Sequence, residues 1–306
     1  MKRMSGKTRG LWVVLAVLAL LSIVTAIGIK YNRTNLDIRD VMGLMTKKIE
    51  VLARMRINLL KSVEAEKMAV MADTDESSQT NASESRKAAD DLEKDRIELG
   101  LLIKKDPTDQ EMKLFQEFER SWTEFRKIDQ VLLDFAVKNT NLKAANLSFV
   151  QGSEAVKDFE EALSPLISNQ ASAKEDPQIT SLVCRAMVAG IKIHYLHAPH
   201  IAAANDDQMD KIEKEIKQNE AVISSVLSRL NPMVPEKKQA FLQKAKKAYG
   251  ELSKVTTQVI DLSRQNTNIK SFELSLGRKR KITAQCDDVL KSLEAAVRSR
   301  SFKATR

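Results

Sequence analysis

The chain has 306 residues, with 9 Gly, 6 Pro, 30% charged and 5% aromatic residues. Few breakers, many charges and few β-branched runs exclude a sheet protein and favour long amphipathic helices. The net charge of +9 does not mark a nucleic-acid binder: residues 1–33 hold six bases and no acid, residues 278–306 nine bases and three acids, and the stretch between them is therefore acidic, at −3. A nucleic-acid-binding domain would carry its basic charge as a patch on the folded body.

The first predicted element is an apolar helix. Leu11 to Ile29 are 19 consecutive uncharged positions, roughly 28 Å of helix and about the thickness of a hydrocarbon core. Lys2, Arg3, Lys7 and Arg9 precede it without an acid. This bias predicts a cytoplasmic N-terminus, residues 1–10, and a chain exported from about residue 30 onward. A cleaved signal peptide, with Val24-Thr25-Ala26 as its processing site, is the competing reading. Both readings export the body, and the length of the apolar run favours an uncleaved single-pass anchor in the inner (plasma) membrane.

Beyond the anchor, the spacing predicts a helix over 35–71, a polar loop over 73–85 and a helix over 85–104. A third helix starts at Asp106-Pro107. In it Phe118, Trp122, Phe125, Ile128, Leu132 and Phe135 recur at intervals of three and four, the stripe of a bundle helix. A turn at Asn139-Thr140-Asn141 leads to a fourth helix. The same stripe returns 127 residues later as Ala245, Tyr249, Leu252, Val255, Val259 and Leu262, followed by Asn266-Thr267-Asn268. Lys143, Leu147 and Ser148 are repeated as Lys270, Leu274 and Ser275. A repeated motif at fixed offset, with both stripes in phase, is the signature of internal duplication. The second copy begins at Pro177, turns at Asn205 and near Asn231-Pro232, restarts at Pro235 and ends with a helix over 269–299. The expected fold is all-α: the transmembrane helix 11–29, then two antiparallel up-down four-helix bundles, 30–171 and 172–306, the second with a basic tail. The expected boundary lies in 167–176, and each bundle would start and finish near the membrane.

Three groups of side chains are candidates for chemistry. His194, His197 and His200, the whole histidine content, share one helix face within HYLHAPH and would suit a metal or haem iron, although Pro199 would kink the helix there. Arg54, Arg56 and Arg185 have the chemistry to hold a ligand carboxylate, with solvated, ion-paired helix faces as the plainer reading. Cys184 and Cys286 fall at similar heights on helices expected to be adjacent, so a disulfide is open to test. The tail bases Arg298, Arg300, Lys303 and Arg306 would lie near outer headgroups or fray into solvent. The repeated Asn-Thr-Asn is assigned to turn chemistry alone. No phosphate loop, nucleophile elbow or HExxH occurs, so no enzyme is expected.

A basic N-terminus, one span running into a long helix, and FERSWTEFRKIDQVLLDFAVKNTNLKAANLSF together resemble the extracytoplasmic four-helix-bundle sensor domain of methyl-accepting chemotaxis proteins. The resemblance covers the first copy well and the second more loosely. It implies a homodimer that binds a small-molecule ligand and passes helix displacements through two spans to a cytoplasmic output. The sequence departs from that pattern because no second apolar span and no transmitter follows the last helix, up to Arg306. The expectation is a membrane-anchored sensory bundle that acts through a partner receptor or transmitter. A structural envelope scaffold and a metal- or haem-binding bundle are the alternatives.

Overall fold

The computed structural model describes residues 6–167 and 176–304, with side chains mainly from 39 to 300, and every element among the described residues is helical. The expected domain boundary at 167–176 falls almost wholly outside the described residues. α1 (Gly6–Val70), α2 (Asp75–Lys105) and α3 (Asp109–Ala136) come first. α4 (Thr140–Leu147) and α5 (Ser153–Leu163) are joined by a π turn, Ser148–Gly152. Then come α6 (Pro177–Ala202), α7 (Asp206–Met233) and α8 (Gln239–Gln265). α9 (Thr267–Leu274) and α10 (Arg280–Ala304) are joined by a second π turn, Ser275–Lys279. The apolar stretch 11–29 thus lies inside α1, on one helix with everything up to Val70.

Local chemistry sets most of the ends. Asp176 caps α6 by accepting from Gln178 N–H at 2.8 Å, ahead of Pro177 in the first turn. Asn205 caps α7 by accepting from Gln208 N–H at 3.0 Å. The stretch 73–85, expected as a loop, is mostly the start of α2. Ser77 N–H donates to Thr74 Oγ1 at 3.1 Å, and Asp75 and Glu76 fill the first turn. Its buried stripe is Ser78, Ala82, Ser85 and Ala89. Small residues let helices approach closely but leave no hydropathy signal, which is why the periodicity was invisible. α6 continues through Pro199. It is also long and apolar enough to cross a membrane, at a mean hydropathy of 1.3. Here Leu182, Val183, Ala186, Ala189 and Ile193 instead belong to a core shared with α5, α7 and α8.

The chain forms two compact units, and they are not consecutive halves. Unit 1 takes residues 1–62, 86–124 and 282–306; unit 2 takes 63–85 and 125–281. The division therefore differs from the expected 30–171 and 172–306. α1, α2 and α3 each contribute residues to both units.

Unit 1 is a bundle of α1, α2, α3 and α10. Its core includes Leu52, Met55, Leu59, Leu92, Leu99, Phe118, Trp122, Cys286, Leu290 and Leu293. Phe118 and Trp122 stack with ring centroids 6.1 Å apart, and Trp122 Nε1 donates to Glu93 at 2.8 Å. α10 is held by ions: Arg56 Nε to Asp287 at 3.0 Å and Arg300 to Asp106 at 2.5 Å.

Unit 2 packs α4 and α5 against α8, and α6 against α7 and α8. One core gathers Phe159, Leu163, Ile193, Ile223, Leu227 and Leu242. Gly190 allows the Phe159 ring in, since a Cβ there would lie 3.1 Å from it. A second core joins Ala69, Ala82, Leu132, Leu133 and Ala136 to Leu274 of α9. The two copies have thus exchanged their fourth helices. The helix after the first Asn-Thr-Asn completes the bundle of α6–α8, and the helix after the second serves α1–α3.

Candidate functional site

The exchange happens where the two Asn-Thr-Asn motifs meet, inside unit 2. Asn139 and Asn266 have φ of 50° and 53°, the left-handed conformation that asparagine tolerates. Each reverses the chain, and the following residues bond across a local pseudo-twofold. Thr140 N–H donates to Thr267 Oγ1 at 3.1 Å, and Thr267 N–H donates to Thr140 Oγ1 at 3.3 Å. Asn141 N–H donates to Asn268 Oδ1 at 3.1 Å, with the reverse bond at 3.2 Å. Asn141 Nδ2 also reaches Asn266 Oδ1 at 2.8 Å, and Asn268 Nδ2 reaches Asn139 Oδ1 at 3.0 Å. The motif is therefore more than turn chemistry: the first-turn amides that a helix leaves orphaned are satisfied by the other copy. The two π turns also fall 127 residues apart, so the duplication suggested by sequence has a counterpart in backbone detail.

Next to this crossing, α6 sends its histidines into three seams. His194 Nε2 donates to the Ser148 carbonyl at 3.0 Å. His197 bonds Ser148 Oγ through Nδ1 at 3.0 Å and Thr256 Oγ1 through Nε2 at 3.1 Å. His200 meets Ser263 Oγ at 2.6 Å and Glu213 at 3.1 Å. Thr256 Oγ1 donates to the Leu252 carbonyl at 2.8 Å, so it accepts from His197 Nε2–H. In the neutral ring Nδ1 then accepts from the Ser148 hydroxyl. Burial, with smaller effects from His194 and His200, pushes the His197 pKa down to about 4. Gly152 keeps the seam close, because a Cβ there would lie 3.1 Å from His194 Cδ2.

This arrangement does not gather His194, His197 and His200 into the single ligand set that HYLHAPH suggested. The rings bond the π turn, α7 and α8, and among the described residues no group of three or more His, Cys, Asp or Glu is placed to hold a metal. Spacing along one helix was legible. The hydroxyls of Ser148, Thr256 and Ser263 that claim the rings lie on other elements, and no spacing rule reaches them.

The arginine candidates separate. Arg54 pairs with Asp95 at 2.9 Å and Glu98 at 2.7 Å, and Arg56 with Asp287 and Glu294. Both guanidiniums serve the seams of unit 1. Arg185 is exposed on α6 beside an open groove of about 420 Å³ against α7, lined by Ser181, Cys184, Val188, Lys192 and Asn219. Cys184 is exposed in unit 2 and Cys286 buried in unit 1, and they do not form a disulfide. The disulfide expectation fails because it took α10 to pack beside α6, whereas α10 closes unit 1. Of the tail, Arg298 pairs with Glu294 at 2.7 Å and Arg300 with Asp106, on a helix that continues to Ala304. Lys303 and Arg306 have no described side chains.

The described body is an all-helical bundle with polar seams closed by hydrogen bonds. Residues 7–178 match the family described as "Four helix bundle sensory module for signal transduction". The match spans more than half of the chain, and the chain belongs to that family. Among solved structures it is similar to the sensor domain of the V. parahaemolyticus histidine kinase TorS, with a TM-score of 0.58 and 12% identity, over 80% of this chain and 98% of that one. At that identity the likeness shows the fold alone. No curated protein matches the chain.

Proposed function

We propose that this chain is a sensory module tethered by residues 11–29, with its N-terminus in the cytoplasm and both units on the outer side. Family membership supports the sensory role. The observation that carries the tether is the course of α1: one unbroken helix, Gly6–Val70, holds the apolar stretch, lines unit 1 and ends in the core of unit 2. A ligand event in unit 2 then has a continuous element leading back to the apolar stretch.

The ligand we infer is a small anion held in the groove between α6 and α7. Arg185 and Lys192 stand two helical turns apart on α6, and neither is ion-paired among the described residues. Ser181 and Asn219 add neutral hydrogen-bonding groups at the same groove. The module would deliver its signal through a partner receptor or transmitter.

The two cysteines supply a test of topology without engineering. A membrane-impermeant maleimide added to intact cells should label exposed Cys184 and spare buried Cys286. Labelling that requires permeabilised cells would overturn the assigned orientation. For the ligand, calorimetry of the full chain in detergent with a panel of small mono- and dicarboxylates should find one that binds. Arg185→Ala with Lys192→Ala should abolish that binding, and unchanged affinity would reject the groove.

A further inference from the structure

We propose that Glu66, Asp129 and Lys279 form a buried proton-binding site in unit 2, with Glu66 carrying the proton, so that the stability of this unit reports external pH. The three residues come from α1, α3 and the second π turn, and they are 0%, 3% and 1% exposed. Lys279 Nζ is ion-paired to Asp129 Oδ1 and stands 3.3 Å from the centroid of the Phe125 ring. That pair is neutral as a whole. Both oxygens of Glu66 are buried without a hydrogen-bond partner.

An ionised Glu66 would be a second carboxylate near the one ammonium, with little beyond the Ser275 hydroxyl to solvate it. Around it, Lys279 and, more weakly, Lys67 favour the charged form, and Asp129 opposes it. Ser78, Ala82 and Ser85, the residues α2 buries in this unit, bring no charge. Burial outweighs the Ser275 hydroxyl and the lysines, and it pushes the Glu66 carboxyl above its ordinary range. The π turn is what brings Lys279 here: it is the last residue of the turn, buried on a face that its neighbours Arg278 and Arg280 do not share.

The sign follows from linkage. With the folded pKa above the unfolded value, the contribution is fully present below the unfolded pKa and is lost as pH rises through the folded one. The residue that loses the proton lies in the last two turns of α1, the helix that also holds 11–29. This site is independent of the anion groove, so the failure of one leaves the other standing.

The test uses the full chain in detergent, wild type against Glu66→Gln, with thermal unfolding followed from about pH 4.5 to 8. The wild-type unfolding constant should rise relative to the variant by up to about tenfold per pH unit until Glu66 ionises in the folded state. Comparison with the variant cancels His197, whose slope in acid has the opposite sign. Parallel curves would overturn the proposal. A second readout does not depend on the variant folding: in infrared spectra of wild type carrying ¹³C-labelled glutamate, one protonated-carboxyl band should persist to higher pH than the bands of the exposed glutamates. Glutamates that all titrate together would overturn it equally.

Discussion

Unit 1 joins its helices with ions and unit 2 joins most of its helices with neutral hydrogen bonds. In unit 1, Lys48 is fully buried and donates to Glu111 at 2.6 Å, Arg54 and Arg56 pair across to α2 and α10, and Arg300 reaches Asp106. In unit 2, the seams are Thr140 with Thr267, Asn141 with Asn268, and His197 between Ser148 and Thr256. The difference teaches which variable each unit answers to. Partly exposed ion pairs weaken with salt. Neutral seams ignore salt and fail only where a buried group is forced to take or lose a proton. Unit 2 has partly exposed ion pairs too, Arg264 with Glu213 and Asp210 and Lys143 with Asp75, but its buried pair, Lys279 with Asp129, lies beside such a group, Glu66.

The sharpest way to break the comparison is to leave one buried charge without its partner. Lys48→Ala should destabilise unit 1 by about 3 kcal/mol, because Glu111 stays buried with only the longer Arg300 contact at 3.6 Å. Lys48→Met with Glu111→Leu should recover most of that loss in chemical unfolding. Next in size is acid. His197 is neutral when folded, so its contribution is present above the unfolded pKa and is lost as pH falls from about 6.5 towards its folded value of about 4. The full effect is on the order of 3 kcal/mol, and His197→Gln should flatten it in unfolding midpoints measured across that range.

Smaller effects probe the crossing and the surface. Thr140→Val should cost about 1–2 kcal/mol, since Thr267 N–H would be left buried without its acceptor. Asn266→Gly should cost less than Asn266→Ala, because only glycine adopts the left-handed backbone freely. Both variants lose the Asn266 side-chain bonds alike, so a reversed order in thermal midpoints would contradict the left-handed backbone at this position. Arg54→Ala should change stability by only about 0.5–1 kcal/mol, and the change should shrink in high salt.

Much of this was legible in the sequence, for reasons that differ by element. The stripe of Phe118, Trp122 and Phe125 is buried as periodicity requires, and Asp176-Pro177 and Asn205 start helices where capping chemistry places them. The start of α2 was hidden because its buried face is made of serines and alanines. The exchange of fourth helices was hidden for a deeper reason. Each copy carries a stripe that satisfies either bundle, and the choice rests on Thr140, Asn141, Thr267 and Asn268 bonding across 127 residues. The identical motif was visible, while its reciprocity was not. The candidate site fared likewise: the histidines were visible, and their hydroxyl partners on other helices were not.

The central claim is that the last helix closes the first bundle, so that α10 is the neighbour of α1. Arg56 and Asp287, 231 residues apart, meet at 3.0 Å across that seam. Charge reversal tests it directly. Arg56→Glu and Asp287→Arg should each lower the unfolding midpoint, and the double variant should recover most of the loss. Strictly additive losses in the double variant would contradict the pairing and return the chain to two consecutive bundles.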